Sequence, residues 1–253
     1  MPNVSFNEMK EGPKKETKKE VSTIVAEIIP AAEKPKQELA TTSEGAISGL
    51  SGDFQATDIR LPRLNLVQKT SEVVNAGVKP GSVIFKTGDN ILVLDLPAPA
   101  TILALRKQYQ ENLPFGTDQT PQTFDTVDEV RQAGGSLTWG SENHYKEIAH
   151  VQVLFEAPAA ATEEELELFP YVFGGKSYAV AMMTLAGSAY TNGAKPIITA
   201  MLSHLRGKHW TGKWALSSEL KKDARNSWHV PIFKMAGKHD PEFAEFAQSL
   251  CPN

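Results

Sequence analysis

Cysteine is nearly absent from this chain of 253 residues, which contains Cys251 alone. A single cysteine forms no internal disulfide, and it excludes a zinc site built from several thiolates. Long apolar runs are also missing, because the longest, from Ala179 to Gly187, is about half of the roughly 20 residues that span a bilayer. The first residues lack the apolar stretch of a secretory signal, so we expect neither membrane insertion nor export.

Signatures of catalysis are scarce as well. There is no phosphate-binding loop ending in Lys-Ser/Thr and no dinucleotide fingerprint. The six histidines include no pair at the i,i+4 spacing of helical zinc sites, and His204 and His209 are separated by Gly207. The acidic run over residues 163–165 is more typical of a flexible loop than of a metal site. We therefore expect a protein that is not an enzyme and that carries no cofactor or metal.

Charge is unevenly distributed along the chain, although the formal net charge is only −4. Residues 51–194 carry 10 basic and 17 acidic side chains, whereas residues 195–238 carry 9 basic and 2 acidic ones. A basic segment in an acidic chain predicts a face that binds a polyanion. The alternative is a lysine-rich hairpin that is merely solvated.

The composition divides the chain into three parts. Residues 1–52 have a single aromatic and interleaved Lys and Glu, which predicts a disordered arm of mixed charge. Residues 53–238 contain mostly strand-like alternation, with one helical pattern between Ser188 and Arg206, so they predict a β-rich α+β domain. Residues 239–253 predict an acidic amphipathic helix, with Asp240 as its N-cap and a proline at its first position.

Three of the four tryptophans lie beside most of the basic charge, in two predicted strands over Trp210–Ser217 and Ser227–Phe233. In a strand Trp210 and Trp214 share one face, and Gly212 between them leaves room for a flat group. Cations along a groove, together with rings on which bases stack, are what a binder of single strands requires. Each ring has a second interpretation, in which it packs in the core.

Four stretches resemble a family of bacteriophage single-stranded DNA-binding proteins that have an oligonucleotide/oligosaccharide-binding (OB) barrel. They are residues 59–85 (IRLPRLNLVQKTSEVVNAGVKPGSVIF), 100–109 (ATILALRKQY), 176–202 (KSYAVAMMTLAGSAYTNGAKPIITAML) and 214–237 (WALSSELKKDARNSWHVPIFKMAG). The resemblance implies an OB-like five-stranded barrel with an inserted helix and extra hairpin elements. It also implies sequence-independent binding and protection of single-stranded DNA during phage replication or recombination, in the cytoplasm of the host cell.

The predicted nucleic-acid contacts combine the basic hairpin with smaller groups on other predicted strands. They are Arg106, Lys107, Tyr109, Lys176, Tyr178, Lys208, Trp210, Lys213, Trp214, Lys221, Lys222, Arg225, Trp228 and Lys234. The lysines would hold phosphates and exposed rings would stack on bases. Expected partners are single-stranded DNA, a second copy of the chain, and phage replication or recombination proteins that bind residues 1–50 or 239–253.

Two other functions fit the same surface. A phage structural or adaptor protein would use the basic hairpin to bind an acidic protein partner. A recombination annealing protein would also bind DNA, but it would form rings or filaments and speed the pairing of strands.

Overall fold

The structure is a computed structural model that describes residues 62–114 and 116–252. The arm predicted over residues 1–52 lies outside the described residues. The strands are β1 (Arg63–Leu66), β2 (Val83–Thr87), β3 (Asn90–Leu94), β4 (Ala98–Glu111), β5 (Thr123–Phe124), β6 (Tyr145–Glu156), β7 (Tyr171–Phe173), β8 (Lys176–Ala186), β9 (Gly212–Lys222) and β10 (Ser227–Lys238). The α-helices are α1 (Val127–Gln132), α2 (Glu163–Leu166), α3 (Lys195–Ser203) and α4 (Pro241–Ser249). A π-helical turn over Tyr190–Ala194 leads into α3, and single 3-10 turns lie at Glu72–Val74 and His209–Thr211.

All these strands belong to one mixed sheet. Its path runs β10–β9–β4–β6–β8–β1–β2–β3, while β5 pairs with β4 and β7 pairs with β8. Neighbours along the path are antiparallel except for β1 and β8, which are parallel. The sheet is curled and open. The prediction of a β-rich α+β fold is confirmed, but the described sheet has ten strands where the implied barrel has five.

The helical segment that was predicted between Ser188 and Arg206 packs against the sheet. Its Ala194 and Ile197 are fully buried in the main core, together with Leu64 of β1 and Trp214 of β9. Strands from both halves of the path therefore share one core with this helical segment. Burial of this apolar surface, at about 25 cal/mol per Å², is the main force that holds the curl.

Side chains join the segment that follows β1 to the edge strand β10. The Gln68 amide Nε2 donates to the His229 carbonyl, and the His229 N–H donates to Gln68 Oε1, both at 2.9 Å. Lys69 Nζ adds a 2.7 Å bond to Ser227 Oγ. A primary amide offers one donor and one acceptor side by side, so Gln68 pairs with the edge of β10 as a residue of a further strand would. We call this pair the Gln68–His229 clasp.

Helix α4 packs on the domain through its aromatic side. Asp240 Oδ1 accepts a 2.9 Å bond from Phe243 N, so the predicted N-cap is confirmed. Phe243 and Ala247 form a second core with Leu103 and Tyr178. Recruitment of partners by residues 239–253 stays a prediction, and it would have to use the acidic outer side of the helix, because the apolar side is occupied.

Candidate nucleic-acid interface

A groove of about 970 Å³ runs between α3 and β10. Lys195 lies on its helix wall, and Lys234 and Lys238 lie on its strand wall. Buried parts of Trp214 and Phe233 form its base. The groove therefore combines an apolar floor with cationic sides.

A β-bulge in β10 determines the position of Lys238. Trp214 pairs with Met235, and after the register shift Gly212 pairs with Lys238. Without the extra residue the partner of Gly212 would be Gly237, so the bulge brings a lysine to this position. Gly237 has φ of 121°, a conformation that glycine adopts without strain, and this is how the sequence accommodates the shift.

Three residues at i,i+4 spacing in the sequence lie on the helix wall of the groove. Thr191, Lys195 and Thr199 recur every four residues and all line the groove. Both threonine hydroxyls donate backwards along the helix, to the carbonyls of Gly187 and Lys195. The cation on this wall is Lys195, whose Nζ lies 5.8 Å from the centroid of the Tyr190 ring, and exposed His204 lies at the far end.

None of the described residues that line the groove is Asp or Glu. Within residues 62–114 and 116–252, no carboxylate lies at ion-pair distance from Lys195, Lys234 or Lys238. Counterions that gather around such lysines would be released when a polyanion binds.

Four of the predicted cations are instead paired with carboxylates. Their closest N–O distances are 2.8 Å for Arg106 and Asp125, 2.5 Å for Lys107 and Glu147, 2.7 Å for Lys176 and Glu156, and 2.6 Å for Lys221 and Glu219. Hydrogen bonds from Arg106 and then Gln108 lower the pKa of Asp125. Burial lowers the pKa of Lys107, but its bonds to Glu147 and Tyr109 outweigh this and raise it overall. These cations offer less positive potential to a phosphate than the groove lysines do.

Apart from Lys234, the other predicted cations lie outside the groove. Lys213 lines a smaller pocket of about 270 Å³, where the structure also places Lys176 and Tyr178. Lys222 and Arg225 are exposed at the tip of the β9–β10 hairpin, where Asp223 Oδ1 accepts from two backbone N–H groups. Exposed Lys208 precedes the turn over His209–Thr211. Of the predicted site residues, the groove contains Trp214 and Lys234.

Three predicted stacking rings are buried. Trp214 is 2% exposed, and Tyr109 and Tyr178 are also in the buried class. Stacking requires an accessible ring face, so these rings cannot receive a base in this structure. The core interpretation of Trp214 is the one that the structure supports.

The prediction that Trp210 and Trp214 share one face of a strand is wrong. Trp210 lies in the 3-10 turn before β9, where it packs beside the second core. A Cβ on Gly212 would lie 2.7 Å from Leu205 Cδ1 and 2.8 Å from Trp214 Nε1. Gly212 is therefore required by the close approach of the protein's own side chains, and no room for a flat ligand remains there.

Trp228 is half-buried at the sheet edge. Its Nε1 donates to Ser188 Oγ at 2.9 Å, and in the ladder it lies opposite Lys221. Among the described residues, Trp139 is the most exposed large hydrophobic side chain, at 83% in the loop before β6. It contacts His144 edge-on, at 5.2 Å between ring centroids. Its position in a polar insertion was the one sequence signal that pointed to its exposure.

The smaller pocket contains a histidine that stays neutral. Burial, and then the nearby Lys213 charge, lowers the pKa of His239 to about 4. Its ring packs on Phe243 at 4.2 Å between centroids, and its Nε2 lies 2.7 Å from Thr101 Oγ1. In the described part of the chain no cluster of His, Cys, Asp or Glu has the makings of a metal site.

Reasoning from sequence missed Lys195, His204 and Lys238 as groove residues. Both lysines were counted in the basic segment, which was the signal that located the region.

Among the described residues no helix has the length and apolar character to span a membrane. Comparisons of the chain with protein-family models, with curated proteins and with solved structures find no match.

Proposed function

We propose that this chain binds single-stranded DNA without sequence preference and without catalysis, with the α3–β10 groove as the path of the phosphates. The observation that carries the proposal is the gathering of Lys195, Lys234 and Lys238 in one groove that has no carboxylate among its described lining. Flexible ammonium groups match the spaced charges of a phosphate backbone. The choice of single-stranded DNA, and of the host cytoplasm as its place, rests on the resemblance to phage proteins.

The OB-like barrel is part of the same proposal. The sheet is curled, and the Gln68–His229 clasp connects the segment after β1 to the edge strand β10. A curled sheet that a side chain closes in this way would be a relative of the five-stranded OB barrel. These features support the assignment, which rests otherwise on the resemblance.

The test is a titration of a fluorescein-labelled dT oligomer of about 30 nucleotides, followed by anisotropy. The variant replaces Lys195, Lys234 and Lys238 by Gln. A matched control replaces Lys79, Lys86 and Lys146, which lie outside the groove, so that both proteins lose the same charge. We expect the groove variant to lose at least ten-fold more affinity than the control. Equal losses would show that overall charge attracts DNA and that the groove is not the site.

Duplex of the same length distinguishes the other functions. Weak binding of duplex beside tight binding of dT supports the proposal. Absence of binding to every nucleic acid would leave the structural or adaptor function. Large assemblies on DNA, together with faster pairing of complementary strands, would indicate the annealing protein.

A further inference from the structure

We infer that the groove binds the phosphodiester backbone alone and holds no base by stacking or by hydrogen bonds to its edges. The inference rests on the proposed function and specifies the part of the ligand that the groove recognises. A single-strand binder of this kind would hold the DNA by the charge of its phosphates and leave the bases pointing away from the protein.

The aromatic rings of Trp214 and Phe233 at the groove are buried. Trp214 is 2% exposed and Phe233 is 3% exposed, so each presents little more than an edge. Stacking on a base needs the face of a ring. Exposing either face would require removal of a large side chain from the main core.

The more accessible indoles lie away from the groove. Trp210 packs beside His209 at 5.0 Å, and the Trp228 indole N–H is bonded to Ser188. Trp139 is exposed, but it lies in the loop before β6. None of these three rings lines the groove. Exposed His204 is the ring with an accessible face among the described lining residues.

The lining offers little for reading base edges. Base edges are contacted by the amides of Asn and Gln, by Arg and Lys, by carboxylates and by Ser or Thr hydroxyls. The described groove lining contains no Asn, Gln, Arg, Asp or Glu, and both of its threonine hydroxyls donate to backbone carbonyls. Its cations are lysines, which act as point charges on flexible stems and lack the rigid fork of Arg. Such a lining favours phosphates over base edges.

The experiment is a competition against a labelled dT oligomer of about 20 nucleotides. The competitors have equal length: unlabelled dT, an abasic strand with tetrahydrofuran in place of every nucleoside, and dT with an uncharged methylphosphonate backbone. We expect the abasic strand to compete within about 3-fold of dT, and the methylphosphonate strand to be at least 100-fold weaker. Stacking of even two bases would make the abasic strand roughly 30-fold weaker than dT.

The outcomes separate the inference from the function beneath it. If dT binds tightly and the abasic strand is 30-fold weaker, the inference is overturned while the proposed function stands. If dT itself does not bind, the proposed function fails first. His204→Ala is tested in parallel, and we expect it to leave the ratio of abasic to dT affinity unchanged. A ratio that moves toward 1 in this variant would identify His204 as a stacking residue and would also overturn the inference.

Discussion

Gln68 and His229 exchange two hydrogen bonds of 2.9 Å, although 161 residues separate them in the sequence. The pair connects the segment after β1 to the edge strand β10. The Gln68 side-chain amide makes here the two hydrogen bonds that the backbone of a neighbouring strand makes elsewhere in the sheet. The groove lysines Lys234 and Lys238 lie on the same edge strand. The clasp therefore fixes the strand that forms one wall of the candidate interface.

Removal of the clasp should destabilise the protein. In Gln68→Ala the His229 N–H and carbonyl both lose their partner, which we expect to lower the free energy of unfolding by about 1–2 kcal/mol. Urea denaturation followed by circular dichroism measures this. Gln248→Ala, on an exposed position of α4, is the control and should be nearly neutral. Equal midpoints for the two variants would show that the clasp contributes nothing to stability.

Gly212 should be intolerant of a side chain. In Gly212→Ala the new methyl group would meet Leu205 Cδ1 and Trp214 Nε1 at less than 3 Å, so the core has to shift. We expect a loss of about 1–3 kcal/mol, as in other overpacked cores, and a changed tryptophan emission spectrum. Ser217→Ala, at a half-buried position of the same strand, should stay within about 0.5 kcal/mol of the parent. A parent-like melting temperature in Gly212→Ala would contradict the packing described for β9.

Each groove lysine should contribute separately to the salt dependence of binding. For Lys195→Gln, Lys234→Gln and Lys238→Gln we expect the log–log slope of affinity against salt to flatten by about 0.7, the value for one phosphate contact of a single strand. Anisotropy titrations at four salt concentrations give the slopes. Lys221→Gln removes a lysine that is already paired with Glu219 and should leave the slope as it is. A slope that changes equally in all four variants would contradict a localised site.

His239 should make the protein less stable in mild acid. Its pKa is about 4 in the folded protein and near the usual 6.5 in the unfolded chain. Between these values the unfolded state binds a proton that the folded state does not, so the free energy of unfolding falls as the pH drops through this window. Urea midpoints at pH 7 and pH 5 measure the decline. We expect a smaller decline in His239→Gln, whereas His204→Gln, at an exposed site, should behave as the parent does. An unaltered decline in His239→Gln would assign the acid sensitivity to other groups.

Trp139 should account for most of the tryptophan emission that a quencher in solution can reach. Because its ring is 83% exposed, Trp139→Phe should remove most of the emission that acrylamide quenches, with a stability change within about 0.5 kcal/mol. Affinity for dT should not change, since the groove lies elsewhere. Lost affinity in this variant would place bases on the insertion loop.

Local patterns predicted several elements correctly. The Asp240-Pro241 start of α4 follows from capping chemistry, which needs only neighbouring residues. The helical segment after Ser188 follows from the spacing of its apolar residues, and the strands β9 and β10 follow from their alternation. Alternation does not say which face is covered, and this is why Trp214 was assigned both to a stacking surface and to the core until its neighbours were known.

A lysine-rich, aromatic segment over residues 195–238 stands out in an acidic chain without any structure, because charge and residue type are properties of the chain alone. Which of the predicted cations act together depends on the tertiary structure. Salt bridges to Asp125, Glu147, Glu156 and Glu219 depend on which strands become neighbours, and they engage four of the predicted contacts. The bulge in β10 and the placement of α3 against it brought Lys195, Lys234 and Lys238 to one groove. Contacts between residues distant in sequence are fixed only when the apolar faces are buried together, so no local pattern contains them.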